Sequence, residues 1–486
     1  MPETAPRWIE IEQELVTDDT AKVVERQVNS LDHTALDNLY QGVGSLAYDP
    51  RMLLKMVLYQ YLKGRRSPAT WFEEAKLNQA MQWLGRGYTP ARRTWYEFRN
   101  RIGGAIDQLH QTLINQATAQ GLLTAEVGVQ DGTSVAACAS RHKMVIRKTL
   151  DQRRELLNEV MEGTAGAERP IPRWVPPTAK GRKNLARRME IAADVLKSRI
   201  TKNTEKPAGK RKDPEKIRVS LSDPIAPLGR DKQKVYRPLY TVQYLIEPLS
   251  RLILSYGCDA AVTDTGTLIP MIDKTQQIVN GRLKTIIADA AYCSILDLRD
   301  CAQRGIELLA PVQTNSFTEK KKQSKPEQKL PRDQFHFDTE QNLYRCPAGN
   351  PLPYRSRSRK QRHGDRKIWE SRYSSDPADC ASCSLAAQCL NKGKSRRMVK
   401  RLEGQELLDD QRTKMEQPEV QAKYSIRGQT VELGFADAKE HRGLRRFHGR
   451  GIARARTESG LLVLAQNVLR LDRLQRKSLN PSKETT

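Results

Sequence analysis

Aromatic residues are scarce in this chain, 6% of 486, with only 7 Phe. Cysteine is scarce too, at 8. So few cysteines in so long a chain exclude a disulfide-scaffolded domain, and clustered cysteines in the cytosol more often bind metal. No run approaches the ~18 consecutive apolar residues of a spanning helix. The opening acids Glu3, Glu10, Glu12 and Glu14 stand where a secretory signal would be basic and then apolar. The expectation is a cytoplasmic protein with no membrane partner. There is no GxxxxGK[ST] phosphate loop, so no ATP-driven step of that kind is expected, and no internal repeat is present.

Acids are also short, 57 Asp and Glu against 83 Lys and Arg, a formal net charge of +26. Such an excess points to a polyanion, nucleic acid before a membrane surface, with a generally basic soluble protein as the plain alternative. The length allows two to four domains with a sizeable core.

Taken in order, residues 1–124 read as an all-helical domain. Residues 53–62 are apolar on nearly every side, as in a buried helix. Ser67-Pro68 starts another helix, and a turn at 86–90 leads into a basic helix over 91–102. Trp95, Phe98 and Ile102 fall there at helical spacing, with Arg92, Arg93 and Arg99 around them. A short turn before a basic helix is what a helix-turn-helix uses in a major groove, so these three arginines are candidate DNA contacts. Any helical bundle with an Arg-rich face reads similarly.

Residues 125–475 read as an α/β domain with two insertions, followed by a polar tail, 476–486. Val127 and Val129 alternate onto the face of Asp131, and Gly132 is expected to end that strand. Residues 142–220 are a charged, helical insertion. A hairpin follows over 236–256, then a helix, then a buried strand ending in Asp289. The second insertion, 313–410, looks loop-rich and carries Cys346, Cys380, Cys383 and Cys389, spaced Cys-x33-Cys-x2-Cys-x5-Cys. That spacing suggests one structural Zn²⁺, against free thiols by coincidence.

The stretch from Gln421 to Gly449 reads QAKYSIRGQTVELGFADAKEHRGLRRFHG. As one helix at about 100° per residue, it places Tyr424, Glu432 and Lys439 within roughly 80° of each other. Arg427 flanks them, and Val431, Phe435 and Ala438 make the apolar stripe. A salt-bridged solvated face would read the same way. Two Asp at strand ends and a Glu on a late helix, in a basic chain, instead suit a two-metal phosphoryl-transfer site, whose ions need several hard oxygen ligands.

The order Asp131-Gly-Thr, Ala288-Asp289-Ala-Ala-Tyr292 and Tyr424-x2-Arg427-x4-Glu432-x6-Lys439 resembles the bacterial insertion-sequence transposases of the DDE class. The likeness includes their tyrosine–arginine–glutamate–lysine signature, their N-terminal helical DNA-binding domain and the cysteine-bearing insertion of one branch. The chain departs from the pattern in two places. Four residues separate Arg427 from Glu432 where some members have three, and Ala436 stands where many have Gly. The resemblance implies a ribonuclease-H-like core in which Asp131, Asp289 and Glu432 bind Mg²⁺ (or Mn²⁺). Tyr424, Arg427 and Lys439 would then hold DNA phosphates. It further implies double-stranded DNA partners (terminal inverted repeats and target), a homodimer on DNA, and a place at the nucleoid when bound. The alternatives are a non-catalytic helix-turn-helix regulator with a structural zinc and a ribonuclease-H-like nuclease without strand transfer.

Overall fold

The computed structural model describes residues 19–40, 47–164, 170–206, 208–231, 233–313, 330–363 and 366–479. They divide into two units, Met1–Ile287 with Ser425–Thr486, and Ala288–Tyr424. The architecture is mixed α/β.

In the first unit, the N-terminal helices include Asp19–Asn29, Pro50–Leu62, Pro68–Leu77, Gln79–Leu84, Arg92–Ile102 and Ile106–Ala119. Pro50–Leu62 is buried from Met52 to Leu62, as its all-round apolar sequence requires. The long helix Ile452–Leu479 packs on Asp19–Asn29, Pro50–Leu62 and Ile106–Ala119 and also on the sheet, so helices and sheet share one unit.

The sheet strands of this part of the chain are β1 (Val127–Ala136), β4 (Leu228–Arg230), β5 (Tyr236–Ile246), β6 (Ile253–Asp259) and β7 (Thr285–Ala288), five of the six in that sheet. β1 lies between β7 and β5. It runs antiparallel to β5, with Asp131 opposite Tyr244 and Gly132 opposite Gln243. β4 and β6 share the far edge of β5.

Gly132 does not end β1. The strand continues to Ala136, and a Cβ on Gly132 would stand 2.1 Å from Asp264 Oδ1 and 2.4 Å from Gln243 Nε2. The glycine is there for a close approach within a strand, not a turn. Asp131 therefore sits mid-strand.

The first insertion has a core of its own. Its helices Arg147–Glu162 and Ala179–Thr204 bury Leu150, Leu157, Leu185, Met189 and Leu196 together. Two short strands, β2 (Met144–Val145) and β3 (Val219–Ser220), pair antiparallel where it leaves and rejoins the sheet domain.

The second unit departs further from expectation. The cysteine-bearing stretch is not loop-rich but a five-stranded antiparallel sheet. After β8 (Glu307–Leu309) come β9 (His336–Asp338), β10 (Leu343–Arg345), β11 (Pro351–His363), β12 (Arg366–Ser374) and β13 (Met398–Leu402), ordered β13-β12-β11-β10-β9. The unit's helices include Ile295–Gln303, Pro377–Ala381, Ala386–Cys389 and Gln405–Glu416.

Candidate active site and nucleic-acid interface

The helix that carries the signature is not one helix. Pro418–Arg427 is α-helical, Gly428–Glu432 forms a π turn, Leu433–Ala436 returns to α, and Asp437–His441 forms a second π turn. The residues after His441 are irregular. A π turn holds one residue more than an α turn, which accommodates the longer spacing between Arg427 and Glu432.

The apolar stripe lies where the periodicity puts it. Val431, Phe435 and Ala438 are buried, and the Phe435 ring stacks on Tyr244 of β5 at 4.5 Å and 12°. Tyr244 is the cross-strand neighbour of Asp131, so the same contact that seats the helix brings its polar edge over β1. Gly434 lets the helix come close, since a Cβ there would lie 2.7 Å from Ile246 Cδ1.

Arg427 thereby reaches Asp131 and links it to Glu432. One Arg427 Nη donates to Asp131 Oδ2 at 2.9 Å and the other to Glu432 Oε1 at 3.0 Å. Asp131 Oδ1 also accepts from the Gly132 N–H at 2.8 Å. The side chains of Arg427 and Asp131 are each 16% exposed, while Glu432 is 60% exposed. Lys439, one stretch further along, donates to Thr133 Oγ1. Thr133 shares Asp131's face of β1, two residues on. Two carboxylates, one of them 296 positions from Arg427 in the chain, thus hold one cationic group between them.

Asp289 follows β7 directly, the strand on the other side of β1 from β5. Its Oδ1 accepts from the Ala291 N–H at 2.7 Å and caps the short turn Ala290–Tyr292. Tyr424 is half-buried, three residues before Arg427. Among the described residues, no three His, Cys, Asp or Glu side chains form a group placed to hold a metal ion. The donor set nevertheless fits one. Asp131 and Glu432 offer hard carboxylate oxygens and already share a positive charge, the electrostatic requirement of a divalent cation between them.

The exit of the signature is anchored by residues that no motif or periodicity singles out. Arg66 and Glu458 form an ion pair with both side chains at 0% exposure. Arg66 also donates to the carbonyls of Gly443 and Arg446, and Glu458 accepts from the His448 N–H at 3.0 Å and from the Gly449 N–H. Burial pushes the Glu458 carboxyl up from its usual range, and Arg66 opposes that. Next to this anchor, Ala136 of β1 exchanges backbone hydrogen bonds with Arg445 and Phe447.

Residues 345–472 match a transposase DDE domain, and residues 10–101 match a second transposase domain, DUF772. The chain belongs to the insertion-sequence DDE transposases. No curated protein matches it. The first match takes in Cys346, Cys380, Cys383 and Cys389, strands β11 to β13 and the signature with Glu432 and Lys439. Asp131 and Asp289 lie outside both matches.

The N-terminal match covers the basic helix. There Arg92 and Arg93 are exposed, with Arg93 paired to Glu97 at 2.6 Å. Arg99 corrects the sequence reading. It is 7% exposed and packs inside the transposase, where burial pulls its guanidinium below the usual range near Arg454, Glu458 and Tyr61. An inward guanidinium is no phosphate contact. Among the described residues, no helix is long and apolar enough to cross a membrane.

Proposed function

We propose that this transposase cleaves DNA at the ends of its element and joins the freed 3′-hydroxyls to target DNA, on a ribonuclease-H-like core. The observation that carries the reading is the bridge from Asp131 through Arg427 to Glu432. A strand carboxylate and a signature carboxylate, distant in sequence, are drawn to one basic group on one face of the sheet. Asp131 and Glu432, with Asp289, would hold Mg²⁺ or Mn²⁺. Bound there, divalent ions supply a more acidic attacking hydroxyl and a charge opposite the leaving oxygen.

The chain's own residues do the rest. Lys439 and Arg427 supply positive charge beside the acids, and with Tyr424 they would position the phosphates that flank the break. Arg92 and Arg93, exposed on the N-terminal basic helix, would contact the element ends through their backbone phosphates. The transposase would act in the cytoplasm at the nucleoid, as a homodimer on DNA.

The test is a strand-transfer assay with pre-cut inverted-repeat ends, a target plasmid and Mg²⁺. Joined products that vanish in Asp131→Asn, Asp289→Asn and Glu432→Gln, with end binding retained, are the expected result. Cleavage without joining would identify a nuclease. Binding without either reaction in the wild-type protein would identify a DNA-binding regulator.

A further inference from the structure

The second unit contains a feature that DNA cleavage does not call upon. Cys346, Cys380, Cys383 and Cys389 come from three separate stretches of chain, yet all four line one small cavity of about 20 Å³. That is room for a single atom-sized guest. The other lining residues are mostly apolar, among them Leu330, Pro347, Leu352 and Leu385. We propose that these four cysteines bind one structural Zn²⁺ that staples the β9–β13 sheet.

Three observations converge on the site. Two of the stretches approach it as tight turns that begin with a cysteine. In the first, the Gly349 N–H donates to Cys346 O at 2.8 Å and the Cys346 N–H donates to Asn350 O at 3.0 Å. Gly349 adopts φ +83°, which a side chain would resist. In the second, the Cys383 N–H reaches back to Cys380 O at 3.4 Å. Cys389 ends the short helix Ala386–Cys389 and is buried at 7% exposure.

The surroundings suit a charged tetrathiolate. The Ser375 hydroxyl lies 3.1 Å from Cys380 Sγ. Arg397 lines the same cavity and is fixed by bonds to the carbonyls of Cys389 (2.9 Å) and Leu330 (2.8 Å). Four thiolates around Zn²⁺ leave two negative charges, and a fixed guanidinium offsets part of that. Ser375 and Arg397 are positioning residues, not ligands.

The sheet also needs the staple. The apolar cluster around the cavity consists of Phe335, Tyr344, Leu352, Tyr373, Cys389 and Val399. So small a core orders little chain, and a metal cross-link supplies what burial does not. Soft thiolate donors in a closed set of four select zinc over Mg²⁺ or Ca²⁺. The thiols border the cavity without forming a ready ligand group as they stand, so the ion draws them inward by side-chain rotation. None of the eight cysteines is disulfide-bonded, and Cys138, Cys258, Cys293 and Cys301 do not line the cavity.

The test is elemental analysis of the purified full chain, together with Co²⁺ exchange followed by absorption spectroscopy. The expected result is about one zinc per chain, and on exchange a thiolate-to-cobalt charge-transfer band of a tetrahedral four-sulfur site. Cys380→Ser and Cys383→Ser lose the metal, whereas Cys138→Ser keeps it. If the serine variants fail to fold, a chelator on the wild-type protein gives the same answer, as zinc release exposes residues 330–402 to protease. Iron in place of zinc, a disulfide among the four by mass spectrometry, or a metal-free wild-type chain from zinc-supplemented cells would each overturn the proposal. So would a cobalt spectrum without the thiolate band.

Discussion

Arg427 donates to Asp131 at 2.9 Å, and both side chains are largely shielded from solvent at 16% exposure. A signature residue assigned to DNA phosphate thus stands against an acid assigned to metal. The two roles compete for one place, and they predict coupling. In Arg427→Ala, Mn²⁺ binding measured by calorimetry without DNA should tighten roughly tenfold, the equivalent of ~1.4 kcal/mol for one partly buried charge-assisted bond. DNA cleavage should fall in the same variant. An unchanged Mn²⁺ affinity would mean that Arg427 does not guard the carboxylates.

The N-terminal arginines separate by exposure. Arg92→Ala with Arg93→Ala should weaken binding to the element ends and make its salt dependence shallower, by a slope of about 0.9 for each phosphate no longer neutralised. Arg99→Ala should leave that slope alone and lower the melting temperature, because Arg99 lies buried beside Glu458. A slope change in Arg99→Ala and none in the double variant would place the recognition surface elsewhere.

Truncating the buried pair should be costly. Arg66→Ala leaves Glu458, at 0% exposure, without its counter-charge, and such a loss destabilises by about 3–5 kcal/mol. Urea denaturation of the single variants and of Arg66→Met with Glu458→Leu checks this. The double replacement should recover much of the loss, since an apolar pair needs no compensation.

His110 gives a pH dependence with a definite sign. It is 1% exposed, and burial pulls its ring down from 6.5 to about 4. The folded state therefore releases a proton that the unfolded chain still holds between these values. This contribution to stability is complete above about pH 6.5 and is lost as the pH falls towards 4, by at most about 1.4 kcal/mol per pH unit. In His110→Asn, which can still donate to the Ile253 carbonyl that His110 meets at 2.8 Å, stability should vary less between pH 6.5 and 4. A wild-type slope that persists in the variant would assign the acid sensitivity to other groups.

Several of these features were legible from residues alone. The stripe Val431, Phe435, Ala438 was readable because helical spacing survives short irregularities, and β5, β6 and β7 because β-branched runs between turns have few other uses. The π turns were not, since a fixed 100° step assumes the hydrogen bonding it is meant to find. Strand β11 was hidden by its own composition, PLPYRSRSRKQRH. Its pairing to β10 and β12 comes from cross-strand contacts, not from apolar alternation. Arg66 and Arg99 were hidden because arginine reads as surface, and only a distant partner such as Glu458 makes an interior guanidinium tolerable.

The Arg66–Glu458 pair also sets a schedule. Its members are 392 residues apart, and the carbonyls that Arg66 holds belong to the same late segment. A ribosome adding ~5–20 residues per second needs roughly 20–80 s to cover that distance. During that time the N-terminal helices are already outside, with Arg66 lacking its acid and the helix Ile452–Leu479 not yet made. The helices Asp19–Asn29 and Pro50–Leu62 must wait for Ile452–Leu479, against which they pack, before their own burial is finished.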